Sequence, residues 1–120
     1  MADEYILKHL QDVLDAIIEL ESFFVGYPMR FEVFEKDRLR VAAVERKTEI
    51  MGEAINRILK YDSSFSLPNA KEVVKTRNRI IHGYDSVEAE FLWGLVIRHI
   101  PQLRKDIEKL LENSDFNIVN

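Results

Sequence analysis

The chain has 120 residues, of which 47% are hydrophobic and 32% charged, with a formal net charge of −4 and no cysteine. That length holds one domain around one core. The missing cysteines exclude disulfides, thiolate metal sites and cysteine nucleophiles, and the acidic balance argues against coating nucleic acid through overall charge. The opening Met-Ala-Asp-Glu-Tyr lacks the basic-then-apolar layout of a signal peptide, and no apolar run approaches membrane-spanning length. No membrane association and a cytoplasmic location are therefore expected.

Residues 3–24 read as a first helix. Ile6, Leu10, Val13, Ile17 and Leu20 recur at three- and four-residue spacing, and Leu7, Leu14 and Ile18 widen the stripe enough for two neighbours. Asp3 is placed to cap it, and Gly26 with Pro28 ends it. In residues 30–60, Phe31 and Phe34 suggest a separate turn before Asp37, which is placed to cap a long helix. From Leu39 onward, Val44, Met51, Ile55, Ile58 and Leu59 keep helical spacing, while Ala42, Ala43 and Ala54 permit close approach. Ser, Asp and Pro content marks 61–68 as a loop.

A third helix is expected from Asn69, as N-cap after a proline, to His82 or Gly83. A fourth follows Asp85 or Ser86, with Asp85 and Glu88 at capping-box spacing, and runs through Phe91, Leu92, Leu95, Val96 and Ile100. Beyond Pro101 the stripe continues to about Glu112, with residues from Asn113 frayed. Pro101 should kink or split this helix. No segment alternates with period two for long enough to be a strand. The expectation is an all-α, up-and-down bundle of four or five helices forming one domain over 1–120.

The charge is unevenly spread. Residues 69–84 hold Lys71, Lys75, Arg77 and Arg79 against Glu72, an excess of three positive charges. A chain of net charge −4 therefore carries −7 elsewhere. At about 100° per residue, Val73, Val74, Ile80, Ile81 and Tyr84 define the apolar face of this helix, and Arg77 falls near its middle. A guanidinium cannot lose its proton and is costly to bury unpaired. Arg77 then either pairs with an acid from another helix, for which Glu53 is the candidate, or looks into a cleft awaiting an anion.

His82 lies about 140° from Arg77 round an ideal helix, and Asn78 shares the His82 face. For Arg77 and His82 to act together, the helix end must unwind near Gly83, the side chains must reach round, or a second subunit must complete the site. The last two in combination are favoured. Each residue also has a plainer reading: an arginine as an ion pair, a histidine near a C-terminus as a cap, a tyrosine as core. His9 and His99 have no convincing partners and are expected to be structural. No His-x-x-x-His spacing, Gly-rich phosphate loop or nucleophile elbow is present, so no metal site and no cofactor are expected.

The run Arg77-Asn78-Arg79-Ile80-Ile81-His82-Gly83-Tyr84 resembles the signature of the HEPN superfamily, and more narrowly the HepT-like toxins with their Arg-Asn-x-x-x-His-x-Tyr pattern. Gly52-Glu53-Ala54 and the Pro101-Gln102-Leu103 step resemble flanking features of that family. The resemblance implies a metal-independent endoribonuclease acting from a homodimer cleft. In it Arg77 binds phosphate, His82 moves protons, Asn78 supports them, and RNA ends as a 2′,3′-cyclic phosphate. It further implies a cognate nucleotidyltransferase antitoxin that adenylylates Tyr84 in some pairs; no DNA substrate is expected. The alternative is a non-catalytic HEPN module that binds a nucleotidyltransferase and nucleotide. A third reading, a structural four-helix adaptor with an incidental motif, would be supported by Arg77 fully buried in an ion pair with Glu53 and by the absence of a cleft.

Overall fold

The structure is a computed structural model that describes residues 3–82 and 89–119, with side chains described as far as Asn113. Among the described residues there are helices and short connections and no strand. Helix α1 spans Glu4–Ser22, and Asp3 caps it by accepting a 2.8 Å hydrogen bond from the Tyr5 amide. Ile6, Leu10, Val13, Leu14, Ile17 and Leu20 are buried, and the helix packs on both α3 (Arg38–Tyr61) and α6 (Ile100–Val119). Its wide stripe serves two neighbours, as the sequence implies, although Ile18 lies outside it and is exposed.

The chain leaves α1 through Gly26, whose φ of 73° is open to glycine and strained for other residues. It then forms the single turn α2 (Phe31–Phe34). Phe34 is fully buried against Trp93 of α5 (Ala89–Gly94), with ring centroids 5.0 Å apart. Asp37 caps α3, as expected, through the Arg40 amide at 3.0 Å. It also binds the Arg40 guanidinium at 2.8 Å and accepts from the Tyr27 hydroxyl at 3.0 Å. Arg40 lies over the Tyr27 ring and donates to the Phe23 carbonyl, so one carboxylate ties the α1–α3 connection to the start of α3.

Helix α3 is the central element, with α1 on one side and α4 (Lys71–Ile81) on the other. Both neighbours run antiparallel to it. The Glu19–Lys47 and Asp3–Tyr61 pairs set the first direction, and the Gly52–Arg77 contact, with Leu59 near Ala70, sets the second. Val44, Met51, Ile55 and Ile58 fill the core, whereas Leu39 is solvent-facing because it sits in the first turn before the neighbours reach α3. Leu59 is likewise partly exposed. Thr48 and Thr76 are buried polar residues, and each satisfies its hydroxyl on the carbonyl one turn back, Val44 and Glu72.

Three expectations need correction. Asn69 does not cap α4: a 3₁₀ turn, Pro68–Ala70, precedes the helix, and the Asn69 side chain donates instead to Asp106 of α6 at 2.6 Å. That cross-helix bond to a carboxylate replaces a local cap. Pro101 neither splits nor ends the last helix. Leu95–His99 widens into a π turn in which the Ile100 amide donates to the Leu95 carbonyl, and α6 continues from Ile100. A proline ring clashes with the carbonyl four residues back, here Ile97, and the wider turn accommodates it. The C-terminal helix also runs on to Val119 instead of fraying from Asn113. The expected start of the fourth helix at Asp85 or Ser86 lies outside the described residues.

The Asp37 carboxyl is held below its usual range by the Arg40 amide first and the Arg40 guanidinium second. A depressed carboxyl stabilises the fold above its unfolded pKa of about 3.9, and that contribution fades as pH falls through the lower folded value. Asp37→Ala should therefore melt several degrees below wild type near neutral pH, with the gap closing in strong acid. An equal gap at both pH values in thermal melts would show that the carboxylate charge is not what holds this corner.

Candidate functional site

Arg77 sits on the flank of α4 that faces α3, half-buried, directly over Gly52. A Cβ built on Gly52 would stand 2.4 Å from Arg77 Cβ and 2.6 Å from Cγ. The two helices therefore cross where one contributes no side chain, and the arginine stem fills that space. The stem's path fixes where the guanidinium emerges. Its Nε is buried and has no hydrogen-bond partner, and Nη1 donates to Asn78 Oδ1 at 3.3 Å.

Glu53 does not pair with Arg77. It is exposed, turned one residue away from the α4 crossing, and binds Arg57 one turn on at 2.9 Å. Among the described residues Arg77 has no carboxylate partner. The buried Arg77–Glu53 pair that would support the adaptor reading is not formed. A half-buried guanidinium held by packing and one amide oxygen retains donors for a planar anion.

Helix α4 stays regular through Ile81, and His82 is its C-cap, with its amide donating to the Asn78 carbonyl at 3.2 Å. The helix does not unwind before His82, and the exposed imidazole projects from the solvent side. Asn78 touches both ends of the motif, the side chain on Arg77 and the main chain on His82. The face assigned to Asn78 by ideal geometry thus does not keep its side chain from Arg77. Gly83 and Tyr84 lie outside the described residues. Arg79 stacks over the Phe91 ring at 4.4 Å, a contact that pattern reading did not anticipate. His9 is buried with Nδ1 2.9 Å from the Tyr5 carbonyl, a structural role. Among the described residues no group of three or more His, Cys, Asp or Glu is arranged to hold a metal ion.

The family model described as "Ribonuclease HepT-like" matches residues 13–110. The chain is 35% identical over 104 residues to the "Probable ribonuclease HepT" of Thermococcus cleftensis, covering 85% of this chain and 92% of that one. It is 32% identical over 107 residues to the "Putative RNase TTE0752" of Caldanaerobacter subterraneus subsp. tengcongensis, covering 88% and 91%. No solved structure matches the chain at a significant level.

The Gly52 crossing decides the sign of one substitution. Alanine in place of a mid-helix glycine gains up to about 1 kcal/mol of helix propensity. Overpacking a tight contact costs about 1–3 kcal/mol, and here the clash is with a Cβ that only backbone movement can shift. Gly52→Ala should lower the urea midpoint; a midpoint at or above that of wild type would refute the close crossing.

Proposed function

The chain belongs to the ribonuclease HepT-like family, and within it we propose that this protein is a metal-independent endoribonuclease whose site is Arg77, Asn78 and His82. The observation that carries the reading is Arg77: a half-buried guanidinium, seated by Gly52 and without an acid among the described residues. Such a group is an anion site, and an RNA phosphodiester supplies the anion. The ribose 2′-hydroxyl attacks the adjacent phosphorus, the bond to the 5′-oxygen breaks, and a 2′,3′-cyclic phosphate and a 5′-hydroxyl end result.

This chemistry asks the protein for charge stabilisation and proton transfer. Arg77 holds the non-bridging oxygens through its bidentate fork. His82, whose imidazole can both accept and donate a proton, takes the 2′-proton or returns one to the leaving 5′-oxygen. Asn78 keeps the guanidinium oriented. Arg77 and His82 emerge about 140° apart on a helix that stays regular between them, which favours a second protomer as the means of bringing both to one phosphate. A symmetric homodimer that pairs the α4 faces would set two Arg–His sets along one groove.

The toxin role, the cognate nucleotidyltransferase antitoxin and adenylylation of Tyr84 belong to this same reading. AMP on Tyr84, two residues beyond His82, would place negative charge and bulk beside the phosphate site and exclude RNA.

Purified wild-type protein should cleave RNA in the presence of a chelator. His82→Ala should lose about 10²–10⁴-fold in rate, and Arg77→Lys should also lose activity because a point charge replaces the fork, both with the oligomeric state retained. No cleavage of diverse RNAs by unmodified protein would instead assign the chain the role of a helical module for a nucleotidyltransferase. For regulation, intact mass after co-expression with that enzyme should rise by AMP units mapping to Tyr84. Full silencing of a Tyr84→Phe variant with no added mass would replace modification by steric capping.

A further inference from the structure

The α3–α4 groove that seats Arg77 continues past it. One turn further along α3 and one turn back along α4 it opens into an apolar pocket of about 390 Å³, bounded by Leu59, Phe65, Leu67 and Val74 with Lys71 and Lys75 at its rim. That volume falls within the range of small-ligand sites. Among the described residues no other ring stacks on Phe65 and no acid pairs with Lys71, while Lys75 reaches only 3.8 Å from Glu72 and stays exposed. The pocket floor is packed against the core through Ile55 and Ile58, so its shape is preformed.

The position of the lysines relates this pocket to the motif. Lys71, Lys75, Asn78 and His82 fall within about 60° of one another on α4, a single stripe along the helix. On this stripe Lys75 is about 10.5 Å and Lys71 about 16.5 Å of helix rise from His82, whereas Arg77 emerges about 120–160° round the helix from the lysines. A nucleic-acid strand advances about 3.4 Å per phosphate even when stacked in a duplex. A strand that meets His82 and follows this stripe therefore passes the two lysines within about three to five stacked nucleotides.

We propose that this pocket is a base-binding subsite: it takes one unstacked nucleobase of a single-stranded RNA, within a few nucleotides of the cleaved linkage, with Lys71 and Lys75 on the flanking phosphates. This rests on the endoribonuclease reading and extends it to substrate class and sequence preference. An apolar cavity with an aromatic wall and cations on its rim matches a base joined to phosphates, the combination used by single-strand binders. A duplex does not fit, because its bases are turned inward. An apolar protein segment would leave the lysines without a purpose.

The test separates the subsite from the reaction. Leu59→Trp fills the pocket from a partly exposed position, about 10 Å of helix rise along α3 from the Gly52 seat of Arg77. Binding is read by fluorescence anisotropy with 2′-O-methyl RNA oligonucleotides of varied sequence, which cannot be cleaved, and cleavage is read separately with unmodified RNA. Leu59→Trp should bind roughly tenfold more weakly, as expected for one lost stacking contact. It should raise KM with little change in kcat and flatten the base preference beside the cut. Phe65→Ala should act in the same direction. Lys71→Gln and Lys75→Gln should each reduce the slope of log affinity against log salt by about 0.7.

Unchanged affinity and base preference in a folded Leu59→Trp protein would overturn the subsite while wild-type cleavage leaves the endoribonuclease reading standing. A variant that alters only the oligomeric state, measured by sedimentation, would overturn it in favour of a second copy of the chain as occupant. Wild-type binding without cleavage would remove the enzyme reading alone, and the anisotropy comparison would still decide the pocket. Neither binding nor cleavage of any RNA would overturn both.

Discussion

Helices α3 and α4 approach at a point where one of them has no side chain, and most of what distinguishes this molecule from a generic bundle follows from that contact. Because Gly52 lacks a Cβ, the stem of Arg77 lies flat on the α3 backbone with its Nε buried. The same contact sets the register of α4 against α3. That register puts Val73 and Thr76 into the core and leaves Lys71, Lys75, Asn78 and His82 on the outward stripe. Stability and the seat of the Arg77 guanidinium thus share one constraint. Any atom added at position 52 forces the helices apart or drives the guanidinium from its seat.

A site built this way is rigid at one end and open at the other. Arg77 is fixed by packing, whereas His82 stands at the last residue of the helix, where the backbone turns out of the α conformation. Asn78 joins them without bringing them face to face. A fixed cation suits binding of a charge that is present in both substrate and transition state. A histidine at the helix end suits a group that must meet a proton donor or acceptor arriving with the substrate or from a second protomer. The positive excess on α4 against an acidic remainder adds local attraction for RNA while the protein as a whole repels non-specific nucleic acid.

The rest of the framework protects this arrangement at a distance. Asp37 gathers the Arg40 amide, the Arg40 guanidinium and the Tyr27 hydroxyl at the start of α3, and the Phe34–Trp93 contact ties the α2 turn to α5. The π turn before Pro101 keeps α5 and α6 on one course, so Leu92 and Leu95 reach the core from the same side as Leu103 and Ile107. These are capping and packing devices that position the central helix and take no part in the chemistry.

Helical periodicity, the caps at Asp3 and Asp37 and the Arg-Asn-x-x-x-His-x-Tyr run are all local in the chain, and so they were legible without any contact map. Local pattern specifies which residues share a helix face and where a helix must begin or be disturbed. It does not specify which groups meet across two helices. Glu53 was the plausible partner for Arg77 by flanking burial, yet a rotation of one residue along α3 sends it to Arg57 and leaves Gly52 under the arginine. Asn69 was a sound cap by type, yet Asp106, remote in sequence, offered a stronger bond. The apolar pocket beside Phe65 was invisible because its walls come from α3, a loop and α4 at once. The chain alone determined the helices and the chemical inventory of α4. Tertiary packing decided that the arginine is seated without an acid among the described residues and that a pocket lies along the same helix pair, since both depend on how two antiparallel helices close on each other.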